Sequence, residues 1–220
     1  MPMPQPRIIL EPELMYHIWT HANGDEYLFR NGENYRYFME KYLYYILSIG
    51  KTYAYCLMPN HLHLMVRFRD EKNLLMFLKK KRKHQDKHLQ GLEDLGGVLA
   101  DLISQHFSNL FNSYTRAYNN KYKRKGSLFM PNFNRKLIDS EEYFARLIAY
   151  IHNNPVHHGF VSSPDEWTFS SWHAYVTDKK THINKMEALA WFGPLKSFMA
   201  VHRELQMERA LFVFENNLEK

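Results

Sequence analysis

The run Met58-Pro59-Asn60-His61-Leu62-His63-Leu64 constrains this chain more than any other stretch. Proline and asparagine favour a turn, and proline cannot donate to a sheet ladder. A hairpin is therefore expected, with one strand over 52–57, the turn at 58–60 and a second strand over 61–68. Successive strand side chains point to opposite faces, which puts His61 and His63 together on one face and buries Leu62 and Leu64 on the other. The second arm of the hairpin opens on a two-imidazole claw. Two ligands are too few for a tight metal site on their own, and a pair of partly exposed strand histidines is the plain alternative.

The other elements follow from periodicity. Leu14 to Thr20 alternates as a first strand, with Tyr16, Ile18 and Thr20 on one side and His17, Trp19 and His21 on the other. His17 and His21 are loose suspects on that account. Tyr35, Phe38, Met39, Tyr42, Tyr45 and Ile46 recur with helical spacing, and Gly50 ends that helix. From Asp70 to Gly97 the chain is charged and irregular and reads as an insertion at about 70–100. It carries the basic run Lys79-Lys80-Lys81-Arg82-Lys83-His84 and a Gly96-Gly97 joint. Ile103, Phe107, Leu110, Phe111, Tyr114 and Tyr118 mark a second amphipathic helix, and Leu128 to Ile138 a further strand. Asp139-Ser140-Glu141-Glu142 has the form of a capping box with Asp139 as cap, opening a helix whose buried stripe is Phe144, Leu147, Ile148 and Ile151. Pro155 discourages helical geometry at Asn154, which is expected at a frayed helix end. Helical spacings return over Glu187 to Leu195 and Ser197 to Arg209. The order strand, helix, strand, strand, helix, strand, helix predicts one α+β domain, a ferredoxin-like antiparallel sheet with helices packed on one face. Its bounds are 14–175, between a flexible N-terminus, 1–13, and a helical C-terminal appendage, 176–220.

With 220 residues, 45% of them hydrophobic, the chain can bury one substantial core. A formal net charge of +6 favours a polyanionic partner, and a 15% aromatic share offers faces on which unpaired bases stack. Lys121, Lys123, Arg124 and Lys125 surround Tyr122 and lead into Gly126, where a glycine main chain can approach a phosphate while the cations neutralise it. Ser127, and Arg135 and Lys136 on the following strand, complete the expected contacts to such a polyanion. The single cysteine, Cys56, cannot form an internal disulfide, which suits a reducing cytoplasm. Residues 1–6 lack an apolar signal core and no run approaches the ~18 apolar residues of a membrane span, so a soluble, cytoplasmic protein is expected.

Tyr150-Ile151-His152-Asn153-Asn154-Pro155-Val156-His157-His158-Gly159 sets Tyr150 and Asn154 four apart, on one face if helical. This stretch, Tyr55-Cys56-Leu57-Met58-Pro59-Asn60-His61-Leu62-His63-Leu64, and Gly126-Ser127-Leu128-Phe129 resemble the single-tyrosine transposases of the HUH superfamily, the insertion-sequence and REP-associated transposase group. The resemblance runs from about Tyr16 to Trp172. It implies the same fold, His61 and His63 as ligands of a divalent metal, Mg²⁺ or Mn²⁺, and Tyr150 as nucleophile. Asn154 falls at the third-ligand position, where many insertion-sequence members carry the longer glutamine. The segment Trp167-Thr168-Phe169-Ser170-Ser171-Trp172 is similar to the family's aromatic closing segment and is expected to pack under the third helix.

The implied activity is cleavage and rejoining of single-stranded, hairpin-bearing DNA through a 5′-phosphotyrosine link, which conserves the phosphodiester's energy without ATP. Hairpin-bearing single-stranded DNA is the expected partner, a homodimer is an open assembly, and no membrane is expected. A phenol holds its proton at neutral pH, so a base must take it; the sequence names none beyond the candidate His152. A histidine-triad hydrolase would need a third alternating histidine where Met65 stands, and a zinc deaminase a Pro-Cys-x-x-Cys pair that one cysteine cannot supply. The rival is a domesticated, noncatalytic DNA-hairpin-binding protein or regulator, because fold and basic surface would outlast cleavage. His61, His63 and Tyr150 together favour the enzyme.

Overall fold

The computed structural model describes residues 8–82 and 95–218. β1 (Met15–His21) leads into α1 (Gly32–Ile46), followed by the hairpin of β2 (Gly50–Leu57) and β3 (His61–Phe68). Then come α2 (Glu71–Arg82), α3 (Leu95–Tyr122), β4 (Asn134–Leu137), α4 (Glu141–His157), a short 3₁₀ turn at Pro164–Glu166, α5 (Trp172–Val176), α6 (Lys185–Phe192) and α7 (Leu195–Leu218). The described strands form one antiparallel sheet in the order β2-β3-β1-β4. Helical connections carry β1 to β2 and β3 to β4, so β3 and β1 become central neighbours. The claw strand thus lies inside the sheet, not at its edge.

The hairpin forms where the turn signal places it, and Met58 N–H donates to the His61 carbonyl at 2.8 Å to close it. Gly50 opens β2 rather than merely ending α1. A Cβ there would come within 2.8 Å of Val66 Cγ1 and 3.1 Å of the Arg67 carbonyl, so a side chain would push β2 away from β3.

The α+β class and the ferredoxin-like sheet are as the sequence reading has them, but the layering is fuller than helices on one face. On the first face Tyr16, Ile18, Leu62, Leu64 and Val66 pack against α1 and α3 through Phe38, Tyr42, Ile103, Phe107 and Leu110. On the second, Tyr53, Ala54, Cys56 and Met65 pack against α4 and the helices after it through Phe144, Ile148, Ile151, Trp172 and Phe198. The reason lies in β2, where the register shifts between Thr52 and Ala54. This bulge turns both Tyr53 and Ala54 to the second face, making an apolar patch that α4 must cover.

Other local expectations are corrected for physical reasons. The segment at 71–82 is helical, with Leu74 and Leu78 buried, and Gly96-Gly97 lies in the first turn of α3, where little of the helix is yet committed; Lys83 and His84 of the basic run, like residues 1–7 of the N-terminus, lie outside the described residues. β4 begins at Asn134, because Leu128 and Phe129 are spent on core contacts and a bridge to Ala22. Ser140, not Asp139, caps α4, its Oγ accepting the Tyr143 N–H at 3.2 Å. α4 continues through Pro155 to His157, since a proline in a last turn forfeits one backbone bond without distorting a following turn. Asn154 is consequently 1% exposed rather than frayed. The C-terminal segment is helical, and Phe198 and His202 of α7 are buried against α4.

Candidate active site

β1 and β3 pair antiparallel with His17 opposite Met65, Trp19 opposite His63 and His21 opposite His61. The two-residue period gathers all of these on the second face, and diagonal neighbours come within reach. His17 Nε2 and His63 Nδ1 lie 2.9 Å apart. The His21 and His61 rings stack with centroids 4.9 Å apart, and His158, at the C-cap of α4, closes on His61 at 4.8 Å. α4 crosses this face and presents the Tyr150 ring edge-on to His63 at 5.6 Å and to His17 at 6.3 Å. One turn later Asn154 brings Oδ1 to 2.9 Å from His61 Nε2. His61, His63 and Asn154 are buried, while Tyr150 stays partly exposed. The phenol can thus be reached from solvent, while the imidazoles and the amide beside it are held by packing.

Burial governs the charge state. It holds His61 down at about 4, with His158 and His21 adding to the fall and the contact with Asn154 opposing it. Burial, followed by the neighbouring His17, pushes His63 well below the usual imidazole range, and burial with nearby Lys136 holds His17 at about 4. All three rings are therefore neutral at pH 7, each with one N–H and one bare nitrogen, the form that binds metal. Among the described residues no three His, Cys, Asp or Glu side chains are grouped as a metal centre, so an ion at this claw would need the amide of Asn154.

The remaining sequence candidates divide. Lys136 faces the site: it pairs with His17 across β1–β4 and lies over the Tyr143 ring at 4.4 Å. Arg135, one residue earlier, must point to the opposite face. It is buried over Phe133 at 4.2 Å and reaches toward Ser104 of α3, which removes it from the expected DNA contacts. Arg124 is drawn into the protein, donating to Glu26 at 2.7 Å, Asn119 at 2.7 Å and the Ser127 carbonyl at 2.9 Å. Lys121 pairs with Glu33 on the surface, Ser127 Oγ donates to the Phe129 carbonyl, and Lys123 and Lys125 are exposed. Tyr118 and Tyr122, the other phenols near the basic segment, donate to the Tyr27 carbonyl at 2.6 Å and to Asn34 at 2.9 Å, on the first face. His152 cannot serve as the base: two residues from Tyr150, it lies about 200° round the helix, fully buried between Ser171 and His202. His17 is the site residue that sequence underrates; its signal is the period-two trio His17, Trp19, His21, whose meaning depends on the β1–β3 register.

No family model matches the chain. A Haemophilus influenzae protein named "Putative REP-associated tyrosine transposase" is 24% identical over 126 residues, which are 56% of this chain and 59% of that protein. The aligned stretch thus spans under two thirds of the curated relative's length. A solved structure of a REP-associated tyrosine transposase bound to a REP hairpin superposes with a TM-score of 0.53, at 16% identity, over 79% of this chain and 84% of the other. Among the described residues no helix is long and apolar enough to cross a membrane. In sequence over that stretch and in fold over most of its length, the chain is similar to the REP-associated tyrosine transposases.

Proposed function

We propose that the chain is a metal-assisted transposase-type enzyme that cleaves and rejoins single-stranded DNA bearing a hairpin, with Tyr150 as nucleophile. The observation that carries this reading is the meeting, from separate elements, of the Tyr150 ring with His63 at 5.6 Å and of His61 Nε2 with Asn154 Oδ1 at 2.9 Å. The relative's name and the hairpin in the neighbouring structure supply the substrate class.

The donor set fits a divalent ion. Neutral His61 has one N–H but faces two amide oxygens, Asn60 Oδ1 at 2.8 Å from Nδ1 and Asn154 Oδ1 at 2.9 Å from Nε2. Whichever it donates to, the other contact sets two lone pairs against each other, which a bound cation or a turn of the amide relieves. Two donors held 2.9 Å apart, His61 Nε2 and Asn154 Oδ1, are close enough to serve one small divalent ion together. His61, His63 and Asn154 would hold Mg²⁺ or Mn²⁺, which when bound polarises a non-bridging phosphate oxygen. His17 fixes the His63 ring through Nδ1 and leaves its Nε2 for the ion. Lys136 supplies a positive charge beside the path of the phosphate. The Tyr150 hydroxyl gives its proton to solvent and its oxygen forms the Oη–P bond as the P–O3′ bond breaks, the departing 3′ oxygen taking a proton from solvent in turn. The 5′ end stays on the protein and the 3′ oxygen departs as a free 3′-OH, so attack by another 3′-OH rejoins strands and frees the phenol.

The test is incubation with Mg²⁺ or Mn²⁺ and hairpin oligonucleotides drawn from the sequences flanking the chain's own gene, followed by denaturing electrophoresis. Wild type should give a covalent protein–DNA band, and Tyr150→Phe should give none while binding the same DNA with affinity within about twofold. No adduct with either metal would favour the noncatalytic hairpin-binding rival, and an adduct mapped to Tyr118 or Tyr122 would overturn the assignment.

A further inference from the structure

Tyr150, Asn154 and His158 follow one another at four-residue intervals along α4, the spacing that stacks side chains on one helix face. The His158 N–H still donates to the Asn154 carbonyl at 3.1 Å, so that face runs on through the C-cap. A third chemical group thus stands in line behind the phenol and the amide. It is an imidazole, and it reaches the claw: the His158 ring meets His61 with centroids 4.8 Å apart, closer than His63 comes to His61 at 5.3 Å. His21 also meets His61, from β1 at 4.9 Å, but nearly parallel at 18°, an arrangement that stacking accounts for, whereas the His158 plane is tilted by 60°.

As the side chains stand, no three His, Cys, Asp or Glu among the described residues close on one point. What separates His158 from such a group is rotation of its own side chain. His61 and His63 are 3% and 5% exposed and offer fixed donors, while His158 is exposed at the end of the helix and can swing onto an ion that they hold. The added donor bears on which ion is held. His61, His63 and the Asn154 amide make two nitrogens and one oxygen; His158 makes three imidazoles. Mg²⁺ takes oxygen ligands and gives up its waters reluctantly, whereas imidazole suits the later divalent transition ions, with Co²⁺ above Mn²⁺ in the order of affinity.

We propose that His158 is a further ligand at the claw, and that through it the centre takes transition ions of the Co²⁺ class in preference to Mg²⁺. The inference rests on the reading of His61, His63 and Asn154 as the metal site. Metal-free protein without DNA is titrated with Co²⁺ and with Mg²⁺ by calorimetry, and the visible absorption of Co²⁺, which reports the donors around the ion, is followed alongside. Wild type should hold Co²⁺ more tightly than Mg²⁺, and His61→Ala supplies the baseline for ions bound elsewhere on the chain. His158→Ala and His158→Phe should each shift the Co²⁺ absorption, weaken Co²⁺ by about tenfold or more and leave Mg²⁺ within about twofold, since even a supporting contact to a ligand is worth at least tenfold in affinity. The ring is exposed and the backbone bond to Asn154 survives both substitutions, so neither should lower the thermal midpoint. Unaltered Co²⁺ affinity and absorption in His158→Ala would overturn the inference, as would Co²⁺ and Mg²⁺ weakened alike. So would wild-type affinity in His158→Phe, because Phe keeps a ring packed on His61 and removes only the nitrogens. Wild type indistinguishable from His61→Ala would instead remove the metal reading, and the His158 ligand with it.

Discussion

Acidification from pH 7 to pH 5.5 should weaken the docking of α7 on α4, and His202 carries a defined share of the loss. Its Nδ1 lies 2.7 Å from the Phe198 carbonyl, which only accepts, so that nitrogen holds the proton. Nε2 is then bare and accepts from His152 Nδ1 at 2.9 Å, which leaves His152 Nε2 to accept from Ser171 Oγ at 2.7 Å. The chain of bonds is complete only when both rings are neutral. Burial holds His202 at about 4, partly offset by the Phe198 contact, and holds His152 well below the usual imidazole range. An unfolded histidine titrates near 6.5, so the unfolded chain takes the proton first. Stability is intact above about pH 6.5 and falls as pH drops toward the folded value of about 4. One unit below the unfolded value, at pH 5.5, His202 alone accounts for about 1 kcal/mol at ~1.4 kcal/mol per unit. Urea unfolding of wild type and His202→Leu at both pH values measures this. The variant is less stable at pH 7 through lost packing, but its drop on acidification should be smaller than wild type's by about 1 kcal/mol. The buried rings away from this pair, His17, His61 and His63, contribute to both proteins and cancel, while His152 loses in the variant a neighbour that helps to hold it neutral and so shifts the difference in the same direction. Equal drops would show that the His202 imidazole is not held neutral by the fold.

Three further outcomes separate metal, DNA and scaffold. His61→Ala and His63→Ala should each lose the calorimetric heat of Mn²⁺ binding while keeping hairpin affinity within a few fold; an unaltered Mn²⁺ isotherm in either would remove that histidine from the proposed ligand set. Lys123→Ala with Lys125→Ala should lower the slope of log K against log salt by about one unit for each phosphate no longer neutralised, with no change in thermal midpoint. Arg124→Ala should instead cost about 1–3 kcal/mol of stability, since it leaves Glu26 only its looser pairing with Arg30 and frees the carbonyls it ties down; an unchanged midpoint with a flatter salt slope would make Arg124 a phosphate contact after all.

What sequence could show of this molecule is what a repeat of two or of 3.6 residues records. The claw was legible because His61 and His63 sit on one strand with the turn directly before them, and Tyr150 and Asn154 because four residues make about one helical turn. Alternation also separates Arg135 from Lys136, although strand membership had first to be settled before either could be sent to a face. Three features escaped because they are set by register or by distant packing. The bulge at Tyr53 moves one side chain across the sheet without any local signature and so calls α4 onto the second face. His17 meets His63 only through the pairing of β1 with β3. His152 and His202 are 50 residues apart in sequence, and no periodicity announces their bond.

These long-range features bear on the proposed chemistry because α4 carries both the phenol and the amide that it would use. One side of that helix is packed on Tyr53, Ala54, Cys56 and Met65 of the sheet, and another on Phe198 and His202 of α7. Asn153, next to the proposed ligand, donates to the His202 carbonyl at 3.0 Å, so the last turn of α4 is fixed from the side away from the histidines. A proline in that same turn has already forfeited a backbone bond there. The helix end that must hold Asn154 within 2.9 Å of His61 is thus the end with the weakest internal bonding, and external clamps replace what it lacks. The distance between amide and imidazole is in this sense set by α7 as much as by the motif around Tyr150.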